Sequence, residues 1–145
     1  MKKYLILFLS VILLFVLVLT IFLAKNGVGY HYAYKYSGHK NGEFTANIFK
    51  EKTLKDSFSV SLKEFSGYRY YKVDLHESGY LNIHVNKNTK KGQVRFSLIN
   101  PDGSSIINNE EKDFTKKVKI NKKGTYKIQF SGDFTGEIDC SWEMK

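Results

Sequence analysis

From Tyr4 to Leu23 the chain runs for twenty residues without a charge, YLILFLSVILLFVLVLTIFL, and apart from Tyr4 only Ser10 and Thr20 carry a hydroxyl there. At about 1.5 Å rise per residue this makes a helix roughly 30 Å long, the thickness of a bilayer core. The remainder of the chain is a different material, polar, lysine-rich and apolar at every second residue. The contrast predicts an N-terminal transmembrane anchor over 1–24, a short linker over 25–29 and a β domain over 30–145. Lys2 and Lys3 ahead of an apolar run also describe a secretory signal peptide. The run is longer than the usual signal core of about 7–15 residues, and Phe22 stands where cleavage before Ala24 would want a small side chain. Gly27-Val28-Gly29 does offer a small pair slightly downstream. The expectation is a retained single-pass anchor in the cell membrane, N-terminus inside and β domain outside. A cleaved segment would instead leave a secreted protein. Lysines flank both ends of the run (Lys2 and Lys3; Lys25, Lys35 and Lys40), so the orientation rests on the signal-like layout rather than on a charge imbalance.

The part after the anchor is long enough for one domain and short for two. Tyr and Phe together number 21 whereas alanine occurs only at Ala24, Ala33 and Ala46, a balance that favours strands. The alternation is explicit. Phe58, Val60 and Leu62 face one way with Ser57, Ser59 and Ser61 opposite. Tyr71, Val73 and Leu75 come next, then Leu81, Ile83 and Val85, then Val94, Phe96 and Leu98. Phe114, Val118 and Ile120 continue the pattern, as do Tyr126, Ile128 and Phe130, and finally Phe134, Ile138, Cys140 and Trp142. Turn chemistry separates these runs at Glu64–Gly67, His76–Gly79, Asn86–Gly92, Asn100–Gly103, Asn121–Gly124 and Ser131–Asp133. The spacing predicts an all-β antiparallel sandwich or jelly roll of about nine strands, with Cys140 as a buried, inert thiol.

The succession Tyr80-Leu81-Asn82-Ile83-His84-Val85, then Phe96-Ser97-Leu98-Ile99-Asn100-Pro101-Asp102-Gly103, then Lys123-Gly124-Thr125-Tyr126-Lys127-Ile128 resembles the bacterial pre-peptidase C-terminal type of β-sandwich, a jelly-roll-like accessory domain of secreted proteins. The resemblance covers a little over half of the part beyond the anchor. It implies a fold similar to that of carbohydrate-binding modules, and some such domains bind calcium. In this chain Asp102, Asp113, Asp133 and Asp139 are scattered and form no D-x-D cluster, so no calcium site is expected.

The formal charge is +9, and only Arg69 and Arg95 among 23 basic residues are arginine. Lysine is a hydrated point charge, whereas bidentate reading of phosphate favours arginine. The excess therefore points to diffuse attraction toward anionic wall polymer or lipid headgroups, or to solubility alone, and not to specific nucleic-acid recognition. Lys87, Lys90, Lys91, Lys116, Lys117, Lys122 and Lys123 are the candidate anionic-surface patch. Tyr30, Tyr32, Tyr34 and Tyr36 alternate and make a candidate aromatic platform for sugar rings or a membrane-interface belt, or else cover one edge of the core. No catalytic constellation is spelled out. His31, His39, His76 and His84 lack metal-ligand spacing, no serine sits in G-x-S-x-G, and nothing calls for a cofactor. The expected function is a membrane-anchored, non-catalytic binding or structural accessory module at an anionic bacterial cell surface. The alternative is an accessory subunit of a membrane protein complex, although the helix has no small-residue face for tight pairing.

Overall fold

The structure, a computed structural model, describes residues 2–25, 29–38 and 41–145, with side chains for 8–20, 31–33, 38 and 41–145. Helix α1 runs over Lys2–Lys25. Seven strands come after it: β1 Gly29–Gly38, β2 Gly42–Leu54, β3 Ser57–Leu75, β4 Gly79–Ile99, β5 Ser105–Asn109, β6 Asp113–Ile120 and β7 Gly124–Met144. All pair antiparallel in one sheet of order β1-β2-β3-β7-β4-β5, with β6 also on β4. The uncharged run from Tyr4 to Leu23 extends past both ends of the described side chains of α1, and among the described residues alone no helix is long and apolar enough to cross a membrane. The described side chains of α1 cover only residues 8–20.

The strand count among the described residues is seven rather than about nine, for a definite reason. Three of the expected turns are bends inside continuous strands. β3 passes through Glu64–Gly67 with a register shift between Leu62 and Phe65, β4 passes through Asn86–Gly92 with a shift between Thr89 and Lys91, and β7 passes through Ser131–Asp133. These bends fold the single sheet over on itself. Phe58 and Tyr71, thirteen residues apart on β3, stack with ring centroids 3.8 Å apart. In a straight strand they would stand roughly 43 Å apart. One half of the folded sheet holds β2, β6 and the adjoining ends of β3, β4 and β7, and the other holds β5 and their opposite ends. The inward rows of both halves form one core that includes Phe49, Phe65, Leu81, Ile83, Phe96, Ile128, Phe130 and Ile138, each 1% exposed or less.

Glycines make the fold-over sterically feasible. Gly67 and Gly132 are cross-strand partners at the bend, with φ of +120° and +139°. A Cβ on Gly67 would lie 2.2 Å from the Glu43 carbonyl oxygen, and one on Gly132 would lie 2.2 Å from that of Gln93. No side chain fits either position, and L-residues avoid those dihedrals.

Inside the fold, alternation turns Glu51 inward between Lys50 and Lys52. Its carboxylate accepts from Arg69, with Nη2 at 3.0 Å from both oxygens and Nε at 3.2 Å from Oε1, and from the Tyr71 hydroxyl. The Arg69 guanidinium also lies 5.3–5.9 Å from the ring centroids of Phe44, Phe49 and Tyr71. Burial, the largest single influence, would lower the Arg69 pKa, but the charges and hydrogen bonds of Glu51 and Tyr71 together outweigh it and raise it. Burial, then the Glu51 charge, pushes the Tyr71 phenol well above its ordinary value.

Candidate functional site

The outward face of the half built on β2 is defined by strand register. One row reads Tyr32, Lys50, Ser61, Glu137, Asn88 across β1, β2, β3, β7 and β4. The next reads Lys52, Ser59, Asp139, Asn86, Asp113, ending on β6, and the third reads Ser57, Ser141, His84, Thr115. His84 Nδ1 and Thr115 Oγ1 are 2.9 Å apart. Three outward serines thus line β3, with lysines on one flank and carboxylates, amides and an imidazole on the other. Small side chains between larger ones leave hollows. One of about 430 Å³ is bordered by His31, Tyr32, Lys50, Lys52, Ser59 and Ser61. A second, of about 360 Å³, continues from Lys52 and Ser59 toward His84, Asp139 and Ser141. Tyr32 is 64% exposed, and Lys50 Nζ lies 5.6 Å from its ring centroid. A ring, two ammonium groups and two hydroxyls on one surface can hold a polyhydroxylated or anionic group without doing chemistry on it.

The seven lysines of the expected patch do not gather. Lys87 is 2% exposed and points inward, so it leaves the patch. Its alternation continues that of Leu81, Ile83 and Val85, because β4 runs on where a loop was expected. Its ammonium lies 3.4 Å from the Val94 carbonyl, 3.3 Å from that of Asn109, and 5.7 Å from the Phe114 centroid. Burial lowers its pKa, partly offset by Glu110, Glu111 and Asp113. Lys90 and Lys91 stand at the β4 bulge, beyond the Asn86 end of the β4–β6 pairing. Lys122 and Lys123 lie just past the opposite end, where Gly79 pairs with Ile120. The eight residues of β6 separate the two pairs by roughly 25 Å. Lys116 and Lys117 lie along β6, whose only partner among the described strands is β4. Lys116 is in register with buried Ile83, and Lys117 Nζ sits 4.3 Å from the Tyr80 ring centroid. An inward-register lysine beside outward ones is a device that keeps an edge strand from pairing with other chains.

Of the candidate platform, only Tyr32 has a described side chain. Tyr30, Tyr34 and Tyr36 are placed by backbone register opposite Lys52, Ile48 and Ala46, and their side chains, like residues 26–28 of the linker, lie outside the described residues. Lys50 and Lys52 are not among the candidate residues of the sequence, because Lys50–Asp56 has the composition of a charged connection, yet β2 continues to Leu54. The signal was present as the alternation Lys50-Glu51-Lys52. Among the described residues no group of His, Cys, Asp and Glu is placed to hold a metal. Cys140 is buried, and burial raises its thiol pKa.

No family model matches this chain, and no curated protein does. Among solved structures, a carbohydrate-binding module of family 29 aligns over 79% of this chain and 85% of its own, at 12% identity and a TM-score of 0.40. A carbohydrate-binding module of family 61, in complex with β-1,4-galactotriose, aligns over 80% and 88%, at 11% identity and a TM-score of 0.37. Likenesses this distant do not bear on what this chain binds.

Proposed function

We infer that the chain is a membrane-tethered, non-catalytic binding module, with α1 as a single-span anchor and the β domain held at an anionic cell surface. The observation that carries this reading is the state of α1. Its eleven apolar side chains from Phe8 to Leu19 are each at least 44% exposed, and none belongs to the core of the β domain. Apolar surface of that extent, on a helix with no charge between Tyr4 and Leu23, calls for lipid cover. At about 0.3–0.6 kcal/mol per Leu, Ile, Phe or Val, insertion of these eleven contributes roughly 3–7 kcal/mol. Thr20 Oγ1 donates to the Leu17 carbonyl oxygen at 2.8 Å, which satisfies the hydroxyl within the helix, as hydrocarbon requires. The binding role is supported by the outward serine-lined face, which presents hydroxyls, amides and paired lysines without a reactive constellation. Alkaline carbonate extraction of native membranes tests the anchor, and the full chain is expected to stay in the pellet. Release into the supernatant at the mass of a shortened chain would establish a cleaved, secreted protein instead.

A further inference from the structure

The hollow at Tyr32 brings together a ring, ammonium groups and hydroxyls on the described surface. Tyr32, Lys50 and Ser61 share one register row, with Lys52 and Ser59 in the next, so ring, ammonium groups and hydroxyls lie within adjacent strands about 4.8 Å apart. Tyr32 presents most of its ring to solvent, and Lys50 is already drawn to it. Glu51 also borders the hollow, but its carboxylate is bound by Arg69 and Tyr71. Glu137 and Asp139 stand one strand further along the same rows, beyond Ser61 and Ser59 and outside the border of the hollow, so the charged groups that border it besides Glu51 are Lys50 and Lys52. The C–H groups on one face of a pyranose carry the partial positive charge that an aromatic face attracts. A carboxylate or phosphate on the same sugar would meet an ammonium beside that ring, and its hydroxyls would meet Ser59 and Ser61. Elsewhere on the described surface the Lys117–Tyr80 and Lys127–Tyr70 pairs place an ammonium over a ring.

We propose that the hollow bounded by Tyr32, Lys50, Lys52, Ser59 and Ser61 is a binding site for an anionic sugar residue of an extended polysaccharide. This rests on the reading of the chain as a cell-surface binding module and names the class of ligand for it. The test is calorimetry or interferometry on the full chain in nanodiscs of neutral lipid, at low salt. The probes are a galacturonate oligomer, an uncharged galactose oligomer of equal length, and poly(glycerol phosphate), which has anions and no ring. The galacturonate oligomer is expected to bind tightest. Tyr32→Ala weakens it about five-fold, and Tyr32→Phe, which keeps the ring, leaves it unchanged. Lys50→Met with Lys52→Met removes the preference for the acidic over the neutral oligomer, and Lys90→Met with Lys91→Met changes nothing. No binding at low salt, equal binding of acidic and neutral oligomers, or binding indifferent to Tyr32→Ala overturns the proposal. Loss with Lys117→Met and Lys119→Met, and none at Lys50 and Lys52, overturns it too, while the binding-module reading stands.

Discussion

Replacing Glu51 by Gln removes the charge that Arg69 faces inside the fold and changes little else. The side chains of Glu51 and Arg69 are 8% and 13% exposed, and their closest N–O distance is 3.0 Å. With an effective dielectric of about 20, unit charges at that separation attract by about 5–6 kcal/mol, against which the desolvation of both must be set. The net worth of the pair is therefore small, but breaking it leaves a buried guanidinium without its carboxylate, at a cost of about 3–5 kcal/mol. Glu51→Gln retains an oxygen acceptor, so about 3 kcal/mol is expected, and Arg69→Met should cost a similar amount. The double change Glu51→Met with Arg69→Met leaves no stranded charge and should return to within about 1 kcal/mol of the natural protein. Urea unfolding of the full chain in detergent, followed by the fluorescence of the single tryptophan, reads the cycle. Trp142 is suited to this because its ring lies 6.3 Å from that of Phe58 in the core. With a slope of about 1.5 kcal/mol per molar urea, each single change should lower the midpoint by about 2 M. Single changes costing less than about 1 kcal/mol, or a double change equal to their sum, would refute the argument that burial sets the cost.

Gly132→Ala places a Cβ against the Gln93 carbonyl oxygen at a left-handed φ, and should leave the domain unfolded or aggregated. Gly103→Ala, whose Cβ meets nothing within 4 Å and is strained only by the φ of +89°, should cost about 1–2 kcal/mol and stay soluble and folded, as circular dichroism and gel filtration would report. Stability should fall as pH rises from about 10 upward, because the unfolded chain ionises its Tyr71 there while the folded state, with its raised pKa, holds the proton. Below that pH the contribution is fully present, and Tyr71→Phe should flatten the alkaline limb of a stability–pH curve. Cys140 should resist thiol reagents in the native protein and react on denaturation, and Cys140→Ser should cost about 1–3 kcal/mol.

The inward rows were legible in the sequence because period-two alternation reports which face of a strand is buried, whatever the strand's length. Phe58, Val60 and Leu62, or Tyr126, Ile128 and Phe130, are buried as their spacing requires. The continuity of strands was not legible. Asn86–Gly92 has the composition of a turn, yet its backbone stays extended and paired with β7 except at the bulge. Two inward charges belong to the same continuity. Lys87 and Glu51 both continue an inward row past the point where polar residues suggested a loop. The partners that make such positions tolerable are remote in sequence, Arg69 and Tyr71 for Glu51 and the Val94 and Asn109 carbonyls for Lys87. The candidate site was half visible, since Tyr32 and the β3 serines appear in the alternation while their union with Lys50 and Lys52 depends on register.

The three long strands have a consequence for how the domain comes apart. β3, β4 and β7 each contribute to both halves of the folded sheet, and β7 is hydrogen-bonded to β3 and to β4 along nearly its whole length. Neither half can detach as a separate cooperative unit, because its ladders are continuous with those of the other. Native-state amide exchange should therefore reach the same global opening energy on both sides of the bend, rather than divide into a stable and a labile half. Because β7 comes last and pairs with strands that begin near Ser57 and Gly79, the sheet can close only after nearly all of the chain is available. Pairings of such long sequence separation make folding slow, with the core strands exposed until the C-terminal strand arrives.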